Sequence, residues 1–414
     1  MAFKKRRALL LNAGYNTTGA DRAARELFER LPSVGWDSEL WVGSGPTNPV
    51  PGVHVVPWRF ERSLMPLDAL WPHNDWRHVG SRWKLAHLRL DQFDLVHVHC
   101  PMGRWLSIRA LAALAARMPL IWTMHDEWAT TGGLVADLGA LIDPRDVPGF
   151  PPVWKPQIRL FHSWRTRPIR AALRRWPVSA RALIAPSFHI AGKAQATPWF
   201  DGIPVQVVRN GLTMSEEPAV DMDRVDARRS WGLAPDAPVV LLIAGSLSEP
   251  IKGIRLGLVA LNHLPRVRAI QVLLIGNAAK SVLSAAPPGV RVVAVGPLNG
   301  NAALARAYRA ANVTVIPSLM ESLCYVAMES LACETPFISF DVGGLRDIAT
   351  SGGAVTVSPY DTQSMGNAVA DLLADPTRQG VMGRAGRAWV NREAAMPHYL
   401  SAIADLYEKV TLPR

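Results

Sequence analysis

Two glutamates, Glu321 and Glu329, stand eight positions apart in the run that begins at Pro317 and ends at Pro336. The apolar stretch Val313 to Ile316 ahead of them predicts a buried strand, and Tyr325 to Cys333 predicts a helix. One carboxylate then sits on the loop leaving a strand and the other about two helical turns further on. In an open α/β sheet that rim, outside the carboxyl ends of the strands, is where ligands bind. A helix start offers backbone N–H groups to phosphate or sugar oxygens, and a carboxylate accepts hydrogen bonds from neighbouring ribose hydroxyls. The chemistry indicated is nucleotide-sugar binding. The plainer alternative makes Glu321 a helix cap and Glu329 a solvated helix residue.

Other groups with chemical potential follow other predicted strands. The segment from Ala244 to Gly253 carries Lys252 just ahead of a helix, where an ammonium can counter a diphosphate as a point charge; an ordinary surface lysine is the alternative. The segment from Trp122 to Gly133 carries His125 and Asp126. A lone histidine there is usually a satisfied structural residue. The first strand ends in the polar stretch from Asn12 to Asp21, with glycines at 14 and 19 that let backbone approach a ligand. The three-glycine dinucleotide pattern is missing, which weakens a dehydrogenase reading. Asp221 and Asp223 form the pattern Asp-x-Asp, but in an acidic, linker-like stretch that does not suggest chelation.

The run holding Glu321 and Glu329 resembles the E-x7-E signature of retaining glycosyltransferases with the GT-B fold, family 4 of the glycosyltransferase classification. The stretch from Phe340 to Ile348 and the pair Thr335 and Pro336 stand in the register that family shows. The resemblance covers most of the C-terminal half closely and the N-terminal half in patches. It implies two Rossmann-like, doubly wound parallel-sheet domains facing each other across a cleft. It also implies transfer of a sugar from a nucleoside-diphosphate donor to an acceptor hydroxyl with retention at the anomeric carbon. By that resemblance Glu329 would bind the ribose, and Glu321 the donor sugar together with Ser322, Leu323 and Cys324. Lys252 would meet the diphosphate, and Pro297 and Leu298 would lie where the family cradles the base. Gly19 would face the donor, and Thr17 and Thr18 the acceptor.

The stretch around His125 resembles the His-Asp-x-Trp…Thr-Gly-Gly segment of members that build bacterial exopolysaccharides. This implies His125 beside the transferred sugar and Asp126 near the acceptor, so catalytic roles fall to His125, Glu321 and Lys252. Three features depart from the family. Ser246, kept in the donor-binding set, stands where many relatives have Arg, so Arg209 or Arg255 would have to substitute. Glu334 stands where they have Gly, as a turn residue or a carboxylate near the site. The cysteine-rich continuation after the histidine segment is absent, which opens the identity of the acceptor. No metal or other cofactor is expected, because a helix dipole and a lysine can neutralise the leaving group. The alternatives are a sugar-nucleotide epimerase of the same fold and a non-catalytic nucleotide-sugar-binding protein, the latter favoured by Ser246.

Positioning these groups needs two domains, which 414 residues provide. The expected division is 1–208, 209–392 and a last helix, within 393–414, returning to the first domain. The predicted strands are 8–12, 39–42, 53–56, 95–98, 120–123 and 182–185, then 239–244, 270–275, 291–295, 313–316, 337–340 and 354–357. Their alternation with amphipathic helices is the pattern of parallel sheets covered on both faces. Residues 60–90, with three tryptophans among arginines, predict either an amphipathic helix or an inserted loop.

The net charge of +11 is placed unevenly. Residues 1–212 hold 27 Lys and Arg against 16 Asp and Glu, and the remainder holds 18 of each. Residues 151–200 carry nine basic residues, no acidic one and interleaved aromatics. An anionic membrane surface attracts such a stretch; nucleic acid attracts one too but is not the expected partner. No apolar run approaches the ~18–20 residues that span a bilayer. The basic start followed by Ala8 to Leu11 imitates a signal peptide but runs into a polar loop, so a first strand is expected. Three cysteines in no metal-ligand spacing fit a reducing compartment. The expected location is cytoplasmic, peripheral on the inner face of the plasma membrane, with a lipid-linked glycan as acceptor.

Overall fold

The computed structural model describes residues 6–15, 18–56, 83–85, 87–101, 105–106, 108–131, 181–264, 270–277 and 280–412. They fall into two compact units. The described parts of Met1–Val147, Pro151–Asn210 and Tyr399–Arg414 form the first, and those of Gly211–His398 form the second.

The first unit is built on seven parallel strands: β1 (Arg6–Asn12), β2 (Trp36–Val42), β3 (Val53–Val55), β4 (Leu95–Val98), β5 (Leu120–Thr123), β6 (Arg181–Ala185) and β7 (Val205–Val207). Their order across the sheet is β3-β2-β1-β4-β5-β6-β7. Leu9, Leu11, Val96, Val98, Leu120, Trp122 and Leu183 join one buried cluster. Sheet positions buried on both faces explain why β4 and β5 read as continuous apolar runs rather than alternating ones. Helix α1 (Gly19–Arg30) follows β1, α2 (Ile108–Ala115) precedes β5 and α3 (Phe188–Gln195) follows β6. The edge strand β7 is absent from the predicted strands; its three residues are half-buried or exposed, as are those of β3 at the other edge.

The second unit has six parallel strands: β8 (Val239–Ser246), β9 (Gln271–Asn277), β10 (Arg291–Val295), β11 (Val313–Ile316), β12 (Phe337–Phe340) and β13 (Ala354–Val357). They lie in the order β10-β9-β8-β11-β12-β13. The helices used below are α4 (Ile254–Ala260) after β8, α5 (Asn301–Ala310) before β11, α6 (Tyr325–Ala332) after β11 and α7 (Pro376–Glu393). Helix α8 (Met396–Thr411) ends the described chain, and its residues from Tyr399 onward belong to the first unit. Tyr407 on α8 is fully buried, edge-on to Trp36 of β2 at 4.9 Å.

Both strand orders reverse once, at β1/β4 and at β8/β11. Such a switch point opens a crevice at the carboxyl ends of the two strands, and ligands of open α/β sheets bind there. No helix of the described residues is long and apolar enough to cross a membrane.

Candidate active-site residues at the two switch points

In the second unit the two strands at the switch point deliver opposite charges to one place. Strand β8 leads into the turn Pro250–Lys252, which ends at Gly253 with φ 61°. A Cβ at Gly253 would strike the carbonyl oxygen of Pro317, so only glycine lets this turn press on the chain leaving β11. The amide of Leu319 donates to the Ile251 carbonyl at 2.8 Å across that contact. The outcome is a charged pair: Lys252 Nζ donates to Glu321 Oε1 at 2.8 Å, with the Glu321 side chain only 12% exposed. The Glu321 carboxylate beside it holds the Lys252 ammonium well above its ordinary range, against the opposing effect of burial.

The loop from Glu321 to Cys324 is held from the other side by Gly343 and Gly344. The Gly344 amide donates to the Glu321 carbonyl at 2.8 Å, and a Cβ at either glycine would collide with the carbonyl of Glu321 or Ser322. This is the physical content of the Phe340–Ile348 register. Helix α6 then begins at Tyr325, with Cys324 before it in left-handed backbone (φ 86°) and no side chain capping its first turn. Beyond the Cys324 sulfur near the Ala327 amide, no side chain is placed to take its leading N–H groups, which suits an anion at the helix start. Leu323 and Cys324 are buried and Ser322 is half-buried. Burial pushes the Cys324 thiol well above its ordinary range.

Glu329 is 4% exposed, which overturns the reading of a solvated helix residue. The phenol of Tyr308, fully buried on α5, donates to its Oε2 at 2.7 Å. Burial and then the Glu329 carboxylate push the Tyr308 hydroxyl far above its usual range, so it stays a proton donor. Thr335 Oγ1 donates to the Tyr308 carbonyl at 2.8 Å, and Ser330 Oγ donates to the Thr335 carbonyl at 2.7 Å. The Thr335–Pro336 pair thus fixes α5 against α6 and so the bond on Glu329. Glu321 does not cap α6 with its side chain either.

The remaining donor-side expectations are placed more loosely. Ser246 ends β8 and its hydroxyl lies 3.2 Å from that of Ser248. Pro297 is exposed and Leu298 half-buried on the loop after β10. Arg209 belongs to the first unit, 5.4 Å over the Phe188 ring. Glu334, in left-handed backbone at φ 55°, comes after the end of α6 and lies 3.5 Å from Arg387 on α7, which also pairs with Asp221. It is a turn residue with an arginine partner at the far end of the helix from Glu321.

The first unit builds its switch point differently. The loop after β1 is organised by Asp21: its carboxylate accepts from Asn12 Nδ2 at 2.7 Å, Gly14 N at 3.1 Å and Thr18 N at 3.0 Å. Thr18 Oγ1 accepts from Asp21 N at 3.2 Å, completing a capping box on α1. Thr18 and Gly19 are exposed at that helix start; Thr17 lies outside the described residues, as do 132–180 with most of the basic stretch, and most of 60–90.

Strands β4 and β5 bring three histidines together. His97 is fully buried, its Nδ1 2.7 Å from Tyr407 Oη and its Nε2 2.7 Å from Thr123 Oγ1. Its ring lies 4.2 Å from that of His99. His99 Nδ1 lies 2.9 Å from His125 Nε2, the two ring planes within 14° of each other. Burial lowers all three imidazoles: His97 to about 3, His99 well below its usual range, and His125 to about 4 against the opposing pull of Asp21. Burial also pushes the Asp126 carboxyl up to about 7, although the Trp128 amide donates to it at 2.8 Å. Buried Glu127 is compensated by His189 at 2.8 Å and Lys193 at 3.7 Å on α3.

The structure therefore groups Lys252, Glu321, Ser322, Leu323, Cys324 and Glu329 on one rim of the second unit. It places His125 and Asp126 side by side on the rim of the first. Residues that the sequence pattern does not single out are Asp21, His97, His99, Tyr308 and Tyr407. The alternation in His97-Val98-His99, two imidazoles on one strand face, is a signal that could have flagged two of them.

Comparison with known proteins agrees with this geometry. Residues 17–216 match the family model for Glycosyltransferase Family 4, and residues 238–375 match the model for Glycosyl transferases group 1. A D-inositol 3-phosphate glycosyltransferase of Xylanimonas cellulosilytica is 29% identical over 349 residues, covering 80% of this chain and 75% of that protein. Sucrose-phosphate synthase from Thermosynechococcus elongatus superposes with a TM-score of 0.70 at 21% identity, over 98% of this chain and 99% of the other. Anabaena HepE in complex with UDP and glucose superposes with a TM-score of 0.68 at 16% identity, over 98% and 100%. At those identities the two structures speak for the fold alone.

Proposed function

We propose, from the premise that this chain is a glycosyltransferase of the GT-B fold, that it moves a sugar from a nucleoside-diphosphate donor to an acceptor hydroxyl with retention at the anomeric carbon. The observation that carries the reading is the Lys252–Glu321 pair at the β8/β11 switch point, one loop from buried Glu329. Glu329 binds the ribose hydroxyls and Glu321 the donor sugar. Lys252 and the uncapped start of α6 stabilise the departing diphosphate, a positive environment that takes the place of a divalent ion. Ser246 contributes a hydroxyl where an arginine would add a cation, and Pro297 and Leu298 border the base.

In the transfer step the bond from the anomeric carbon to the diphosphate oxygen breaks and its electron pair leaves with the diphosphate. The acceptor oxygen bonds to the anomeric carbon on the same face, and its proton passes to a phosphate oxygen of the leaving group. His125 hydrogen-bonds a hydroxyl of the transferred sugar and holds it in place while the bond breaks, and Asp126, with Thr17 and Thr18, lies towards the acceptor. For the acceptor, resemblance to exopolysaccharide-building enzymes and the basic stretch 151–200 support a lipid-linked glycan at an anionic membrane surface. The relative's name supports a phosphorylated polyol such as D-inositol 3-phosphate.

A thermal-shift panel of UDP-, GDP- and ADP-sugars on the parent and on Glu329→Ala tests donor and site together. One donor should stabilise the parent and not the variant; stabilisation by none overturns the reading. With that donor, product analysis against lipid-linked glycan and D-inositol 3-phosphate decides the acceptor, and the anomeric configuration of the product decides retention. Sedimentation with anionic vesicles tests the membrane surface.

A further inference from the structure

The hydrogen bond between His99 and His125 holds a single proton, and the surroundings of His99 decide which ring carries it. His99 is 1% exposed, and its Nε2 is buried with no hydrogen-bond partner among the described residues. An orphaned buried N–H is rarer in proteins than an under-used acceptor. The His99 proton therefore belongs on Nδ1, the nitrogen 2.9 Å from His125 Nε2. His99 then donates and His125 Nε2 accepts, which puts the proton of a neutral His125 on its other nitrogen. The ring planes lie within 14° of each other with centroids 5.2 Å apart, so the bond runs edge to edge, close to both ring planes. Beside His99 lies His97, its ring centroid 4.2 Å away and its own nitrogens meeting Tyr407 and Thr123, so His99 packs against a ring that is itself held.

We propose that His99 is a positioning residue that fixes His125 as the Nδ1–H tautomer, a neutral hydrogen-bond donor towards substrate oxygen rather than an imidazolium or a base. This rests on the reading of His125 as a substrate-facing group. Charging His125 would put a second proton on Nε2, facing the proton of His99. His99 could yield only by moving its own proton to the partnerless Nε2. The bond thus opposes protonation in addition to burial. Among the described residues, the titratable groups around the pair include His97 on β4 with Tyr407 of α8 behind it, Asp21 of α1, whose charge favours a proton on His125, and Asp126 with its neighbour Glu127 in the same loop.

Two measurements test this separately. Long-range 15N–1H spectra of histidine-labelled parent protein read the tautomers directly, without any need for turnover. The expected spectrum has the His125 proton on Nδ1 and the His99 proton on Nδ1 at neutral pH; a His125 proton on Nε2 overturns the proposal whatever the enzyme does. The second compares His99→Asn with His99→Asp. The asparagine amide can still donate to His125, and should hold kcat within about threefold of the parent, with a pH profile flat into the acidic range. The aspartate can only accept when ionised. It should reverse the tautomer, bring an ionisation of His125 into the neutral range and lower kcat by about 100-fold, the scale of losing one oriented donor. Equal losses in both variants with an unmoved pH profile mean that His99 is merely structural, and sink the proposal. If the parent shows no transfer activity while its spectrum shows the expected tautomers, the functional reading fails and the positioning stands.

Discussion

The two switch points share a topology and handle charge in opposite ways. In the second unit, Lys252 and Glu321 form an ion pair and Glu329 is stabilised by a phenol that keeps its proton. In the first unit, burial drives His97, His99 and His125 towards the neutral form and holds the Asp126 carboxyl protonated up to about 7. A buried charge survives where a partner or hydrogen bond offsets its lost hydration, and otherwise neutralises. The same α/β frame therefore offers one rim suited to holding anionic and polyhydroxylated groups and another suited to directional, uncharged hydrogen bonding.

The strongest way to break this comparison is to remove the cation. Lys252→Ala leaves Glu321, only 12% exposed, without its ammonium, and should lower kcat by about 100- to 1,000-fold, the range for a group that meets developing charge. Lys252→Arg should recover only part, since a guanidinium on this turn presents a planar fork rather than a point charge. A loss of less than tenfold in Lys252→Ala would mean that the second rim does not work through charge.

A smaller effect sharpens the uncharged half of the second rim. Tyr308→Phe deletes the 2.7 Å bond to Glu329 and leaves the buried ring in place. Hydrogen bonds to charged groups contribute about 1.5–3 kcal/mol, so donor KM should rise by about tenfold or more while kcat stays near the parent value. Donors lacking a ribose hydroxyl should lose most of their disadvantage in this variant. An unchanged KM would show that Tyr308 serves packing alone.

The first rim is tested through stability against pH. In the fold Asp126 keeps its proton up to about 7, whereas an unfolded aspartate loses it near about 3.9. Between those values the native state carries the extra proton, so this group makes stability fall as pH rises. His97 and His125 act in the other direction: the native state carries fewer protons between about 4 and about 6.5, and their contribution is lost as pH falls through that window. Asp126→Asn removes the falling arm and can still accept from the Trp128 amide. One proton held over the two pH units from 5 to 7 corresponds to about 2.7 kcal/mol, so its Tm relative to the parent should improve by about 5–10 °C between pH 5 and pH 8. A constant difference across that range would mean that Asp126 ionises normally.

The frame and half of the site were legible from the sequence, for identifiable reasons. Strands buried on both faces, such as β4, β8 and β11, announce themselves as apolar runs, and all six strands expected in each half are present, with ends moved by a few residues. The loop glycines at 253, 343 and 344 mark places where backbone meets backbone, and they bracket the residues that resemblance also selected. The edge strand β7, Val205-Gln-Val207, was not picked out although β3, Val53-His-Val55, is as short and as exposed; local sequence does not separate the two. Tyr308 and Tyr407 were hidden because their partners lie 21 and 310 positions away. Nothing in local sequence couples a helix tyrosine to a distant carboxylate or imidazole; only the packed sheet does. His97 was read as part of the apolar strand 95–98 and His99 lay just beyond it, although imidazoles buried without charge still need partners.

The faintest contrast concerns Glu334, the acid that interrupts the family pattern. Its left-handed backbone, φ 55°, costs a non-glycine residue about 1–2 kcal/mol. Its carboxylate recovers little, since the contact with Arg387 is 3.5 Å long and partly exposed. Glu334→Gly relieves the backbone strain but also frees the unfolded chain, an opposing effect of about 0.4–1 kcal/mol. The two nearly cancel, so Tm should move by no more than about 2 °C and transfer activity should stay within about twofold of the parent. Arg387 keeps Asp221 as a partner in the variant. A fall in activity with Tm unchanged would place Glu334 in the functional site and extend the charged rim around the far end of α6; an unchanged enzyme confines that rim to Lys252, Glu321 and Glu329.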